Sequence, residues 1–294
     1  MDAMNGLLVI DKPGGMTSRD AVNRVQRWFP KKTKIGHTGT LDPLATGVLV
    51  VCVGAATRLA DYVQAMGKTY ASRFRLGATS TSDDADGTVT DTPGAVPPTG
   101  EAVEASLQRF VGVIEQLPPA VSALKVDGRR AHDLVRQGKE VTLAPRPVRI
   151  DAVRLTGYDW PFADVEVDCG KGTYIRSIAR DLGAALGCGG MVQTLRRARV
   201  GCYLAEDAVT LDLDPGEVGK HLMPMSSALS TLPAVRISAE VVTRFRQGQT
   251  VATAGEASPQ PGEEVVVIDG FQEVIGIGAV LPNGFVKPTL VLPS

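Results

Sequence analysis

The chain has no apolar run long enough to cross a membrane: the longest, residues 47–54 (GVLVVCVG), falls far short of the ~20 residues a spanning helix needs. No charged-then-apolar leader is seen either, and a cytoplasmic location is therefore expected. Cysteine is scarce. Cys52, Cys169, Cys188 and Cys202 form no C-x-x-C pair and His37, His132 and His221 are scattered, which excludes zinc-type spacing and predicts reduced thiols without a structural metal. An excess of positive charge is missing too, since the formal net charge is −1. Spread evenly, that charge would exclude a nucleic-acid partner, because phosphate binding needs a basic footprint.

The charge is not spread evenly. Residues 1–36 carry seven Lys/Arg against three Asp, whereas residues 83–104 carry six acids and no base. A local basic face for RNA is compatible with this distribution. With 44% hydrophobic and 21% charged residues, the 294-residue chain has material for one sizeable core and a small second domain.

Residues 6–10 read as a buried strand, and after the turn at Pro13-Gly14-Gly15 a Thr17/Asp20 capping box opens a helix that buries Val22, Val25, Trp28 and Phe29. Pro30 ends it. Residues 49–53, 69–76, 148–155 and 163–169 read as strands, and 57–66, 102–110 and 174–186 as helices, the last closed by Gly187. The elements alternate without a regular βαβ rhythm, which predicts a mixed-sheet α/β (α+β) domain. From about Pro233 the texture changes to short β-rich runs divided by turn signals such as Asp269-Gly270 and Pro282-Asn283-Gly284. A first domain of 1–233 and a small β-barrel of 234–294 are expected.

Residues 36–47 have neither helical nor strand periodicity. The string Gly36-His37-Thr38-Gly39-Thr40-Leu41-Asp42-Pro43-Leu44-Ala45-Thr46-Gly47 frames one histidine and one aspartate with three glycines and a proline. A bare Asp-Pro is ordinarily a turn, but an irregular loop between two well-patterned elements is where a functional segment belongs. The whole string resembles the catalytic motif of the bacterial tRNA pseudouridine-55 synthases, the TruB family, in which the aspartate of G-H-x-G-x-L-D-P is essential. The resemblance continues in the family's order along the chain. Asp11-Lys12-Pro13-Gly14-Gly15-Met16-Thr17-Ser18 is similar to its amino-terminal D-K-P loop, Lys68-Thr69-Tyr70 to its K-x-Y, Gly172-Thr173-Tyr174-Ile175-Arg176 to its G-T-Y-I-R, and Leu195-Arg196-Arg197 to its L-R-R. Ser122-Ala123-Leu124-Lys125 with Gly128-Arg129-Arg130-Ala131 looks like its RNA-contacting insertion. Asp84 matches a family aspartate that contacts flipped nucleotides, although Thr81 stands where the family usually has aspartate.

The resemblance implies a pseudouridine synthase catalytic domain with a PUA-like barrel, a cofactor-free enzyme and no guide RNA. Its partner would be tRNA, held by the T-arm loop and the acceptor end, and a monomer is expected. Asp42 would be the catalytic carboxylate, Arg176 its partner, Tyr70 the surface that stacks on the target base, and Tyr174 a wall of the pocket. Lys12, His37, Asp84, Leu195, Arg129, Arg130 and Arg197 would bind RNA, with Arg196 contributing charge. The chemistry suits these residues. Making pseudouridine breaks the bond from ribose C1′ to base N1, turns the base and joins C1′ to C5, so it needs a carboxylate and a closed pocket but no redox partner. Three rival readings are weaker. An RNA-guided synthase would carry lysine-rich tails that this chain lacks, and a silent RNA-binding module would not need Asp42, Tyr70, Tyr174 and Arg176 together. A metal-dependent hydrolase at Asp83, Asp84 and Asp86 lacks the bidentate Glu of an EF-hand loop.

Overall fold

The computed structural model describes residues 4–121, 125–126, 129–130, 143–254 and 259–293. Its central sheet follows the path β1-β2-β7-β3-β6-β5-β4, where β1 is Gly6–Lys12, β2 Thr46–Val53, β3 Lys68–Leu76, β4 Gly112–Gln116, β5 Arg146–Asp159, β6 Phe162–Cys169 and β7 Gly190–Val200. Neighbours on this path are antiparallel except β2 and β7, so the sheet is mixed, as the irregular alternation predicts. Short strands Ile35–His37 and Tyr203–Leu204 attach to β2 and β7. The first of these corrects the expectation that all of 36–47 is irregular. Parallel pairing with β7 covers only Thr46 and Gly47 of β2, and Ile35–His37 takes up the edge left free at residues 51–53.

Side-chain alternation gives the sheet two different faces. Leu8 and Ile10 of β1 enter one core with Phe74, Val165 and Val167, while Leu7 and Val9 enter another. The first core is roofed by α1 (Ser18–Gln26), α3 (Gly100–Gln108) and α4 (Ile175–Ala185), which bury Val25, Leu107 and Ile178. The Thr17/Asp20 capping box that opens α1 is present. Between β2 and β3 the expected helix begins as a 3₁₀ turn, Gly54–Leu59, and continues as α2 (Ala60–Ala65). Leu59, Val63 and Met66 from this segment join Leu7 and Val9 in the second core.

The second core also takes Val266 and Ile277 from a separate five-stranded sheet, and Leu292 from just beyond its last strand in sequence. That sheet runs β8-β10-β11-β12-β9, with β8 Ala234–Arg236, β9 Val251–Ala252, β10 Glu264–Ile268, β11 Val274–Val280 and β12 Phe285–Val291. A bridge between Arg236 and Ala254, in which Ala254 N donates to Arg236 O at 2.7 Å, joins its two ends. The sheet thus curls toward the expected small barrel around Val235, Val265, Ile275 and Phe245 of α5 (Ala239–Arg246). Among the described residues no helix is long and apolar enough to span a membrane.

Candidate active site

The segment from Thr38 to β2 is fixed by bonds from three directions. Ser18, in the first turn of α1, donates through Oγ to Leu41 O at 3.0 Å and accepts from Leu41 N at 2.8 Å. Gly15 N donates to Pro43 O at 2.9 Å, and Leu44 N donates to Asp86 Oδ2 at 3.0 Å. Lys12 is fully buried, and its ammonium donates to Pro13 O and Met16 O at 2.8 Å and to Pro43 O at 3.4 Å. The loop ends at Gly47, whose φ of +97° suits glycine and whose absent Cβ would lie 2.2 Å from the Arg197 carbonyl of β7. Any larger residue would push the loop off the sheet.

Asp42 emerges from this frame, and Arg176 meets it from the start of α4. Arg176 Nη2 lies 3.0 Å from Asp42 Oδ2, while Nη1 lies 3.3 Å from Asp84 Oδ2 and donates to Ser82 O at 2.9 Å. Arg176 is 4% exposed and the Asp42 side chain 34%, so the ion pair has a protein side and an open side. The open side is a cavity of about 300 Å³ lined by Asp42, Tyr70, Tyr174, Arg176, Leu195 and Arg197, at the small end of ligand-pocket sizes. Tyr70 and Arg197 stand opposite each other on β3 and β7.

Burial pushes the Asp42 carboxyl above the ordinary carboxylate range; Arg176 opposes that shift, and Asp84 and Asp86 add to it. Burial likewise raises the Tyr70 phenol, against the influence of Arg197. Lys12 is lowered to about 8 by burial, with Asp42 pulling the other way.

The structure therefore brings together Asp42, Tyr70, Tyr174, Arg176, Leu195 and Arg197 around the cavity, and leaves Lys12, His37 and Asp84 off its wall. Asp84 is buried behind Arg176, accepting from Ser82 Oγ and from Asp86 N, so it holds the arginine and does not face the cavity. Lys12 is a buried brace and not a surface cation. His37 is half-buried on its short strand and its Nδ1 accepts from Gly39 N at 3.4 Å. Of the two arginines expected to add positive charge toward RNA, Arg197 is not on the surface, whereas the Arg196 side chain is 42% exposed. Arg197 is 3% exposed and donates to Val48 O and Gly39 O, and Arg196 is paired with Asp11 at 2.8 Å. Arg129 and Arg130 form a two-residue strand against Lys125–Val126, and their side chains lie outside the described residues, as does most of the expected RNA-contacting insertion. Asp83 and Asp86 are engaged by Arg180 and Leu44 N, and among the described residues no His/Cys/Asp/Glu cluster could hold a metal.

Two contributors, Arg146 and Gln116, escaped the sequence reading, and a third, Lys68, was read only as the first residue of the K-x-Y motif with no role of its own. Lys68 lines the cavity, is 8% exposed and is lowered to about 8 by burial. Arg146 also lines it, with its guanidinium 5.0 Å over the Tyr174 ring. Gln116, at the end of β4, bonds the backbone of Tyr174. No periodicity distinguishes these residues from ordinary strand positions. Lys68 carried the signal of its motif, and the polar Gln116, standing before Leu117-Pro118-Pro119 at a strand end, a weaker local one.

Comparison with known proteins agrees with this geometry. Residues 27–175 match the model of the TruB family pseudouridylate synthase N-terminal domain, residues 176–230 that of the tRNA pseudouridylate synthase B C-terminal domain, and residues 233–292 that of the pseudouridine synthase II TruB C-terminal region. A tRNA pseudouridine synthase B of Roseobacter denitrificans is 45% identical over 253 residues, covering 83% of this chain and 82% of that protein. One from Burkholderia mallei is 42% identical over 283 residues, covering 94% of this chain and 93% of that protein. In the solved structure of an H/ACA RNP bound to a substrate RNA containing 2′-deoxyuridine, one chain shares the fold with a TM-score of 0.74 at 23% identity, over 98% of this chain and 85% of that one. With matching models along almost its whole length and close relatives of the same extent, the chain belongs to the TruB family of pseudouridylate synthases.

Proposed function

We propose that the protein isomerises a uridine of tRNA, position 55 in the T-arm loop, to pseudouridine, with Asp42 as the catalytic carboxylate. One observation carries the reading: the Asp42–Arg176 ion pair on the wall of a cavity that also presents Tyr70 and Tyr174. A uridine in a folded loop is stacked, and extruding it costs roughly a few kcal/mol. Tyr70 offsets part of that cost by stacking on the base. Arg176 favours the ionised form of Asp42 in a site whose burial disfavours it. Attack at C1′, proton abstraction at C2′ and addition at C6 all draw on this one carboxylate. Once the C1′–N1 bond has broken, the cavity confines the uracil while it turns. C1′ then joins C5, the C5 proton leaves and N1 regains a proton, so no electrons enter or depart.

In this reading residues 1–233 take the T-arm, residues 234–294 hold the acceptor end, and no guide RNA takes part. Lys12, Asp84 and Arg197 act by fixing the loop and the arginine. The test is to incubate purified protein with an unmodified tRNA transcript, a chelator and no second RNA, then map pseudouridine. Stoichiometric product at position 55 is expected. No product, or product at another uridine, would overturn the assignment.

A further inference from the structure

We propose that Gln116 is a positioning residue for the site, holding the backbone of Tyr174 and thereby the place of Arg176 beside Asp42. Helix α4 starts without a cap of its own: the N-cap residue Tyr174 makes no side-chain capping bond, and no acidic residue stands in the first turn. The backbone donors at such a start need partners from elsewhere. For Tyr174 the partner comes from the end of β4, at the far edge of the central sheet. Tyr174 N donates to Gln116 Oε1 at 2.8 Å, and Gln116 Nε2 donates to Tyr174 O at 3.0 Å. The adjoining carbonyl, Leu117 O, accepts from Ser177 Oγ and from Arg180 Nη2, both at 2.8 Å.

An amide side chain facing the N–H and C=O of one residue is a two-point clamp. A carboxylate can accept but not donate, and an alkyl group can do neither. Gln116 is 1% exposed, so these bonds have little competition from water. Its partner across the ladder, Arg146, donates to Gly172 O at 2.7 Å and covers the Tyr174 ring. Backbone and ring of Tyr174 are therefore held from one pair of facing residues. Arg176 lies only two residues further on, and its 3.0 Å contact with Asp42 depends on where the helix begins. A displacement of about 1 Å at such a place is enough to cost about a hundredfold in rate.

The inference rests on the activity proposed above, and the experiment separates the two. Gln116→Met keeps the size of the side chain without its polar atoms, and Gln116→Glu keeps the acceptor but loses the donor. Both are compared with the wild type on an unmodified tRNA transcript, reading the single-turnover rate at saturating enzyme, the tRNA Kd and the pH profile. The Asp42 carboxyl is titrated in parallel by isotope-edited NMR. The expected result is a rate at least about tenfold lower, a Kd within about threefold of wild type, and an acid limb and Asp42 titration displaced to higher pH. A rate within twofold of wild type in both variants overturns the proposal. So does a rate loss with the Asp42 titration unmoved, because general loosening of the fold gives that pattern. If Gln116→Met does not fold, Gln116→Glu decides by the same criteria. A wild type that makes no pseudouridine overturns the proposed function instead, and the Asp42 titration then still decides whether Gln116 sets the ion pair.

Discussion

On one face of the central sheet Arg176 stands 4% exposed between Asp42 and Asp84, and on the other Arg73, Arg154 and Arg199 stand 48%, 49% and 44% exposed beside Asp164, Glu166 and Asp168. The strands are shared. On β6, Ala163, Val165 and Val167 enter the helix-covered core, while Asp164, Glu166 and Asp168 alternate with them on the opposite face. Both faces use arginine and carboxylate at hydrogen-bonding distance, yet only one can be sensitive to the loss of a single group. An exposed pair is worth about 0–1 kcal/mol because water replaces either partner. Removing one partner of a buried pair costs about 3–5 kcal/mol because the other charge is left without compensation. The sheet therefore concentrates its electrostatic leverage at the end where the cavity opens.

The strongest way to break this contrast is Asp42→Asn. Turnover should fall below a hundredth of the wild-type rate, with tRNA affinity within about tenfold, since a carboxamide changes little of a large interface. Stability should move differently. The folded-state pKa of Asp42 is raised above 3.8, so the folded protein binds the extra proton between those two values and the contribution of Asp42 to stability falls as pH rises through that window. The difference between Asp42→Asn and wild type should accordingly shift in the variant's favour across the window and level off above it. A difference that moved the other way in urea melts at stepped pH would mean that Arg176 outweighs burial.

Arg176→Met is next in size. It leaves Asp42 and Asp84 without their shared counter-charge, and a loss of about 3–5 kcal/mol is expected in chemical denaturation. Because burial and Asp84 then act on Asp42 unopposed, the acid limb of the rate profile should move to higher pH than in wild type. An unchanged acid limb would remove Arg176 from the electrostatics of the site.

How much of this was readable beforehand follows the same division. The loop of Asp42 was legible because its glycines and proline interrupt two patterned elements, and the motif resemblance supplied Tyr70, Tyr174 and Arg176. The first strand was legible from residues 6–10, whose unbroken apolar run reflects burial on both faces. Arg197 was misread because an arginine beside another arginine looks like surface. It lies instead under the loop, where its guanidinium bonds Val48 O and Gly39 O. Nor could the sequence say that the barrel shares a core with β1 and β2, since that contact joins Leu7 and Val9 to Val266 and Ile277 from far along the chain. Removing the barrel near Leu232 would uncover that core, so surface substitutions on the barrel are the cleaner test of acceptor-end binding.

Tyr70 gives an effect of intermediate size and separates packing from polarity within the buried site. If the ring acts by stacking, Tyr70→Phe keeps most of the activity and Tyr70→Ala loses roughly 1–3 kcal/mol of transition-state stabilisation, read as kcat/KM. Phe as inactive as Ala would assign the hydroxyl, which lies against Arg197, a part in proton transfer.

The smallest effects belong to the exposed face, and they test the contrast from its other side. Arg154 reaches both Glu166 and Asp168, Arg73 is bidentate to Asp164, and Arg199 shares Asp168. Each arginine already has a carboxylate at hand, so binding RNA there would exchange one anion for another and release few counterions. Arg73→Ala and Arg154→Ala should each change stability by less than about 1 kcal/mol and leave the slope of log Kd for tRNA against log salt unchanged. Replacing Arg129 and Arg130 together should instead flatten that slope by about one to two units. If Arg154→Ala flattened it as much, the paired arginines would be contacting phosphate in the complex. The ladder would then have to open on binding, and the exposed face would rank with the cavity as a place where charge acts on RNA.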